Sequence, residues 1–175
     1  MFTYAETSIP NGDDGTVATL REMARLVRED VIHPLVRELA ASIIKPIGVF
    51  DTLAWCEAIR AWCAAYVQFV RDPSDRELLH SPEAMVRQWR ETHRILGDCD
   101  DAAILAAALA VSVGCRARFV AAAFLDKRNP FGHVWAEIAP PTGTGDGWIE
   151  CDVTRTFQNV PTHLISRLLV FPVVS

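Results

Sequence analysis

The first half of the chain carries apolar residues at the spacing of α-helices. From Val17 to about Ile44 they recur three and four residues apart, which is the period of one helix face. Thr16 stands where an N-cap is expected, and Pro34 predicts a kink or a break because proline cannot donate the helical hydrogen bond. A second helical pattern over residues 51–70 places large apolar residues on one side: Trp55, Ile59, Trp62, Tyr66 and Phe69.

Two further helices are predicted before residue 114. In "SPEAMVRQWRE", Ser81 is placed as the N-cap and Pro82 at the first helical position. In "LGDCDDAAILAAALA", Asp98 or Cys99 lies near the N-cap of a helix over about 100–113, which Gly114 ends.

Beyond Gly114 the pattern changes from helical to alternating. The segments "CRARFVAAAF", "GHVWAEIA" and "GWIECDV" predict strands, and "PPTGTGDG" predicts the loop between the last two. The terminal "RLLVFPVV" predicts a further strand, which Pro172 confines to a sheet edge or to its own terminus. A run of helices followed by a run of strands predicts an α+β fold with an antiparallel sheet.

The length and the turn residues predict one domain. A chain of 175 residues is long enough to bury a core without staples. Residues 1–15 are polar and contain Pro10, Gly12 and Gly15, so we expect a flexible lead-in. Residues 16–175 are then a single domain, whose helical N-terminal extension reaches about residue 50.

Composition and charge exclude several classes of partner. The formal net charge is −5, so a basic nucleic-acid-binding surface is not expected. No apolar run approaches the ~18 residues that a membrane span needs, and no signal peptide is recognisable. We therefore expect a cytoplasmic protein, with exit from the cytosol by another route or association with a phage particle as the alternatives. The five cysteines contain no C-x-x-C pair, so reduced thiols are expected: Cys56, Cys63, Cys99, Cys115 and Cys151.

The two strands after the central helix can form a histidine–carboxylate pair. If Ala139 pairs with Asp146 in a hairpin, His133 lies directly opposite Asp152, within reach of a hydrogen bond. The same register pairs Trp135 with Glu150 and Glu137 with Trp148. A slip of one residue would destroy the pair, because it would move one partner to the other face of the sheet.

Cys99 lies at a helix N-terminus, where the partial positive charge of the helix favours a thiolate. An imidazolium beside the sulfur would favour it further. Asp98, Asp100 and Asp101 oppose ionisation of the thiol, so we expect some of these side chains to turn away from the sulfur. We expect these carboxylates to accept hydrogen bonds from the free backbone amides of the first turn and to bind nearby basic groups.

The ordered segments "GDCDDAAILAAALAVSVGCRARFV", "GHVWAEI" and "WIECDVT" resemble the core of the transglutaminase-like superfamily, cysteine enzymes with a papain-like fold. The resemblance implies Cys99 as nucleophile, His133 as general base and acid, and Asp152 as the residue that orients the histidine. "YVQFVRDPSDRELLHSP" resembles segments of bacterial and phage-associated members. The oxyanion hole would use the Cys99 amide and one donor from an earlier helix. The candidates are Trp62, Tyr66 and Gln88, and the resemblance slightly favours Trp62 or Tyr66.

The resemblance implies an acyl-transfer enzyme without a cofactor. The leading hypothesis is a peptidase or amidase that acts on protein or peptide amides through a thioester. One alternative is a transglutaminase that crosslinks proteins. Another is a non-catalytic, phage-related assembly protein that keeps the fold as a scaffold, and the helices before residue 50 could then bind a protein partner.

Metal binding and core packing are the other interpretations of these residues. "DCDD" lacks the alternation of a calcium loop, whereas Cys99, His133, Asp152 and a reoriented Cys151 could form a zinc site. We expect the remaining cysteines to be packing residues. The remaining histidines are expected at the surface or at helix caps: His33, His80, His93 and His163.

Overall fold

The computed structural model describes residues 8–73, 77–125, 131–141, 147–154 and 164–173. Its elements confirm the α+β fold, with helices in the first part of the chain and an antiparallel sheet in the second. In chain order they are α1 (Asp13–Asp30), α2 (Pro34–Ile44), α3 (Thr52–Tyr66), β1 (Val67–Phe69), α4 (Pro82–Thr92), β2 (Ile95–Gly97), α5 (Cys99–Ser112), β3 (Arg116–Phe124), β4 (His133–Ala139), β5 (Ile149–Cys151) and β6 (Ile165–Pro172).

The break predicted at Pro34 is confirmed, because α2 begins there and the His33 side chain accepts a hydrogen bond from the Leu35 amide at 3.3 Å. The prediction that Thr16 caps the first helix is wrong. Helix α1 begins at Asp13, and its N-cap is Gly12 with φ 71° and ψ −147°. Glycine adopts this positive φ at little cost, so the chain can turn into the helix before Thr16.

The main sheet has the strand order β5-β4-β3-β6, and all of its pairs are antiparallel. Strand β6 is an edge strand, as Pro172 predicts. A second sheet pairs β1 with β2 in parallel, and the sequence pattern did not predict it. Helix α3 therefore ends at Tyr66 instead of continuing to residue 70. Three-residue strands are too short to show a period in the sequence.

Helix α5 lies at the centre of the protein. Every residue from Asp100 to Ala110 is buried, and most of them are alanine. Small side chains let the other elements approach closely, with α1, α2 and α3 packed against it as well as β3 and β4. The helix that begins with Cys99 is thus held on several sides. None of the helices in the described ranges has the length and apolar character to cross a membrane.

Candidate active site

Cys99 is the first residue of α5, directly after the N-cap Asp98. The Asp98 side chain accepts a hydrogen bond from the Asp100 amide at 3.0 Å, as predicted for an aspartate of the first turn. Gly97 ends β2, and a Cβ atom there would lie 2.5 Å from Asp101 Oδ2. Only glycine fits this close approach, so strand β2 and the helix that begins with Cys99 can meet in a sharp turn.

His133 and Asp152 form a hydrogen-bonded pair at the other side of the site. His133 Nε2 lies 2.8 Å from Asp152 Oδ2, and the two side chains are only 2% and 8% exposed. The second carboxylate oxygen of Asp152 accepts hydrogen bonds from the amide and the hydroxyl of Thr154, at 3.2 and 2.9 Å. The carboxylate is therefore fixed on both sides.

The predicted strand register is wrong by two residues, although the pair it was meant to explain is present. Glu137 is opposite Glu150 instead of Trp148, so His133 and Asp152 are diagonal and not directly opposed. Asp146, the predicted partner of Ala139, lies outside the described residues. A shift of two keeps every side chain on its face of the sheet, and diagonal neighbours remain within reach of long side chains.

Cys99 reaches the strand that carries His133. Helix α5 packs on β4, and the backbone N–H of Val134, the residue after His133, is close enough to the Cys99 sulfur to favour its thiolate. The residue itself is partly exposed. Thus the structure brings the thiol to the beginning of β4, where the histidine is located.

The electrostatics at the thiol differ from the expectation. Burial, followed by the Asp100 and Asp98 carboxyl groups, raises the pKa of Cys99, and the Val134 amide only partly offsets these effects. The Cys99 sulfur lies 3.7 Å from Asp100 Oδ1, so Asp100 is not one of the aspartates that turn away, whereas Asp101 binds His80 instead. The resting protein therefore favours a neutral thiol.

Carboxyl groups crowd the first turn of α5. Burial and the Asp101 carboxylate raise the pKa of Asp98 to about 7. Burial and a side-chain hydrogen bond to Glu77 raise the pKa of Asp100 well above its ordinary value. The pKa of Asp72 is raised mainly by burial. Such crowding is relieved when some of these groups are protonated.

A second histidine–carboxylate pair lies on the same helical turn. The Asp101 side chain is 1% exposed. One of its carboxylate oxygens accepts a hydrogen bond from the His80 backbone amide, and the other lies 2.8 Å from His80 Nδ1. Asp101 was predicted to bind a basic group, but His80 was predicted only as a surface or capping residue. The two residues are 21 positions apart, and no local pattern in the sequence connects them.

The three oxyanion-hole candidates lie in different environments. Gln88 on α4 accepts a hydrogen bond from the Leu96 amide at 2.7 Å through Oε1, which ties it to the strand before Cys99. Trp62 and Tyr66 on α3 pack on each other, with ring centroids 4.9 Å apart. Both also contact Trp89 edge-on, at 5.2 and 5.7 Å. Among these three candidates, Gln88 is the one that the described residues show bonded to the segment directly before Cys99.

The predicted zinc ligands are not brought together as a set. The described parts of the chain contain two groups of three residues whose potential ligand atoms lie within 4.8 Å of one another. These groups are Asp98–Cys99–Asp100 and Asp72–Glu77–Asp98. Cys151 is opposite Ala136 and is 1% exposed, on the sheet face away from His133. Any metal bound here would therefore have mainly carboxylate oxygen ligands, which suit hard cations.

Comparisons with known proteins agree with the observed fold. The family model of the transglutaminase-like superfamily matches residues 43–153, more than half of the chain. A crystal structure described as a "Putative Cysteine Protease" from Cytophaga hutchinsonii is similar, with a TM-score of 0.50 and 20% sequence identity. The similarity covers 78% of this chain and 46% of that one, so the chain spans less than half of that protein. None of the curated proteins matches the sequence significantly.

Proposed function

The chain belongs to the transglutaminase-like superfamily, and from this premise we propose that it is a cysteine-dependent acyl-transfer enzyme with Cys99 as the nucleophile. The observation that carries the proposal is the buried hydrogen bond of 2.8 Å between Asp152 and His133, which begins the strand on which the helix of Cys99 packs. A histidine oriented by a carboxylate is the group that a neutral thiol needs in order to lose its proton. The proposed substrates are protein or peptide amides.

The raised pKa of Cys99 decides how the first step takes place. A resting thiolate is disfavoured by burial and by the neighbouring carboxyl groups. Proton transfer to His133 therefore accompanies the attack of sulfur on the carbonyl carbon, and His133 acts as a general base. Because Nε2 faces Asp152, the nitrogen that exchanges this proton is Nδ1. Asp152 stabilises the imidazolium that forms.

The tetrahedral intermediate needs two donors for its oxyanion. The backbone amide of Cys99 at the start of α5 is one of them. We propose the Gln88 carboxamide as the other, because its Oε1 is held by the Leu96 amide and its NH₂ group is thereby oriented. Trp62 and Tyr66 are better explained by their packing with Trp89.

The intermediate then collapses to a thioester and expels the amine, which takes its proton from His133. Water that attacks the thioester regenerates the thiol and completes a hydrolysis, as in a peptidase or amidase. A primary amine in place of water completes a transamidation. The two outcomes use the same residues, so adding a primary alkylamine during turnover and measuring the ratio of acid to amide product distinguishes them.

The proposal is tested by acylating the protein with p-nitrophenyl acetate and following the burst of p-nitrophenolate. We expect one equivalent of burst in the unaltered chain and none in Cys99→Ala. Cys151→Ala is the matched control, because Cys151 is adjacent to Asp152 but faces the opposite side of its strand, and it should retain the burst. A burst that survives in Cys99→Ala, with acylation mapped to another residue, would refute the proposal.

The role of Gln88 is tested separately by Gln88→Leu, with Trp62→Phe and Tyr66→Phe as controls. Loss of one oxyanion donor costs about 10²- to 10³-fold in turnover. We expect this loss of acylation rate in Gln88→Leu only. A comparable loss in Trp62→Phe with an unchanged Gln88→Leu would assign the second donor to the tryptophan.

A further inference from the structure

Two buried thiols outside the candidate active site are in contact. The sulfur atoms of Cys56 on α3 and Cys115 before β3 are 3.7 Å apart, and the residues are 0% and 4% exposed. They lie 59 positions apart in the sequence, so the fold alone brings them together. We propose that Cys56 and Cys115 are a redox-active dithiol, which closes to an intramolecular disulfide when the protein meets a peroxide.

The backbone holds both cysteines in place. Helix α5 ends in a Schellman motif, in which Gly114 has φ 88° and its amide donates to the Val111 carbonyl. The Cys115 amide donates to the Ala110 carbonyl at 3.0 Å in the same motif. Cys56 lies inside α3. A disulfide bond of ~2.05 Å thus requires the sulfurs to approach by about 1.7 Å through side-chain rotation.

Electrostatics divide the two thiols into an attacking and a resolving partner. The Cys56 thiol donates a hydrogen bond to the Cys115 sulfur, which lowers the pKa of Cys115 and raises that of Cys56. Burial raises the pKa of the other three cysteines: Cys63, Cys99 and Cys151. Cys115 is therefore the cysteine whose thiolate is favoured, and the thiolate is the form that peroxides oxidise.

A surface cavity provides access to this thiolate. Cys115 lines a cavity of about 390 Å³, together with Arg116 and the ring of Trp148. The Arg116 guanidinium carbon is 5.0 Å from the Trp148 ring centroid, so a positive charge borders the opening. None of Cys99, His133 and Asp152 lines the cavity, and neither does Cys56. A small oxidant that enters there meets Cys115 first.

The chemistry balances with hydrogen peroxide as the only oxidant. The Cys115 thiolate attacks one peroxide oxygen, the O–O bond breaks, and the departing hydroxide takes a proton to become water. Cys115 is then a sulfenic acid. The Cys56 sulfur attacks the Cys115 sulfur, the S–O bond breaks, and the Cys56 proton leaves with the hydroxyl as a second water. In total the two thiols lose two electrons and two protons, which together are the mass of two hydrogen atoms.

The test exposes the full chain to stoichiometric hydrogen peroxide, blocks free thiols with iodoacetamide in denaturant, and maps disulfides by mass spectrometry without reduction. We expect a Cys56–Cys115 crosslink as the main product, a mass loss of two hydrogen atoms, and full reversal by dithiothreitol. Cys99→Ala should give the same crosslink at the same rate, which separates this outcome from the fate of the proposed catalytic thiol. Alkylated Cys56 and Cys115 beside an oxidised Cys99 would overturn the proposal.

Two serine variants sharpen the assignment. Cys56→Ser removes the resolving thiol, so a sulfenic acid should accumulate at Cys115 and be labelled by dimedone. Cys63→Ser is the matched control, since Cys63 lies on the same helix and is also 0% exposed, and it should leave the crosslink unchanged. Absence of dimedone label on Cys115 in a folded Cys56→Ser protein contradicts the proposal. If that variant does not fold, the disulfide map of the unaltered chain decides alone.

Discussion

The two histidine–carboxylate pairs have the same contact distance but different surroundings. Both His133–Asp152 and His80–Asp101 have a nitrogen–oxygen distance of 2.8 Å. In the first pair both side chains are nearly buried, whereas the His80 side chain is 46% exposed and only its carboxylate partner is buried. The distance alone therefore does not distinguish a pair that supports chemistry from one that supports structure.

The atoms used in each pair indicate the difference in role. Asp152 binds the ring of its histidine and is itself fixed by Thr154. Asp101 binds both the ring and the backbone amide of His80, which fastens the segment before α4 to the first turn of α5. We therefore expect the first pair to control reactivity and the second to control stability.

The largest expected effect is on the reactivity of Cys99. His133→Ala removes the proposed base, and general base catalysis contributes about 10²-fold or more. We expect alkylation of Cys99 by iodoacetamide near neutral pH to slow by about this factor. His80→Ala should change the rate by less than about threefold, because the proposal gives His80 no part in proton transfer. If alkylation of Cys99 slows equally in His133→Ala and His80→Ala, the two histidine–carboxylate pairs do not differ in their effect on thiol reactivity.

The next effect is on folding stability. Asp101→Asn keeps the size of a buried side chain but weakens two hydrogen bonds to His80, which costs about 1–3 kcal/mol. Urea unfolding should show this loss while acylation of Cys99 by p-nitrophenyl acetate continues. In Asp152→Asn the acylation rate should fall much further than in Asp101→Asn. The reverse order of acylation rates would contradict the assigned roles.

A smaller effect is expected from Asp98, which lies beside Cys99 and also attracts His80 electrostatically. Asn is as good an N-cap as Asp, so Asp98→Asn removes a charge and keeps the cap. Because the pKa of Asp98 is raised to about 7, its carboxyl group is neutral below that pH and charged above it. The variant should therefore alkylate faster than the unaltered chain only above about pH 7, by up to about tenfold.

Asp51→Asn is the control for Asp98→Asn, because Asp51 is also an aspartate N-cap, and its side chain accepts from the Ala54 amide of α3 at 3.0 Å. It should leave the alkylation profile unchanged. If Asp98→Asn accelerates alkylation equally at every pH, the ionisation of Asp98 is not the cause.

The smallest effect is the pH dependence that His80 gives to stability. The hydrogen bond to Asp101 raises the pKa of His80, so the folded protein binds this proton more tightly than the unfolded chain. The stabilisation is fully present below about pH 6.5 and is lost as the pH rises through the folded-state pKa. Since the side chain is 46% exposed, we expect less than about 1 kcal/mol.

Urea unfolding of the unaltered chain and of His80→Gln at about pH 5.5 and 8.5 measures this contribution. The stability difference between the two proteins should be larger at the lower pH. A difference that grows with pH would have the wrong sign for a histidine stabilised in its protonated form.

The sequence predicted the parts of the fold that depend on local signals. Pro34, Ser81 and Gly114 mark helix boundaries in a few residues each, and the structure has helix ends at all three. Strand β4 was predicted from its alternation, and so was the face that His133 shares with Asp152. The predicted register is wrong by two residues, but the predicted face is right, because side chains alternate between the two faces with a period of two.

Contacts between distant segments could not be predicted in this way. The parallel pairing of β1 with β2, the His80–Asp101 pair and the approach of Cys56 to Cys115 each join residues far apart in the chain. The raised pKa of Cys99 also depends on burial and on the orientation of Asp100, which only the packed structure fixes. The three aspartates beside Cys99 show in the sequence that the thiolate is opposed, but they do not show how far the pKa of the thiol is shifted.

Because the buried part of α5 is rich in alanine, substitutions inside this helix should displace Cys99 at its end. Most buried side chains of α5 end at Cβ, and other elements pack on the helix from several sides. An added methyl group therefore has little room unless the helix shifts along its axis or rotates about it. Such a movement reaches Cys99 at the helix tip. Ala106 and Ala110 lie about 10 and 16 Å along the axis from Cys99 at the helical rise per residue. A selection for altered thiol reactivity should therefore recover substitutions deep in the interior, well beyond any atom that touches a substrate.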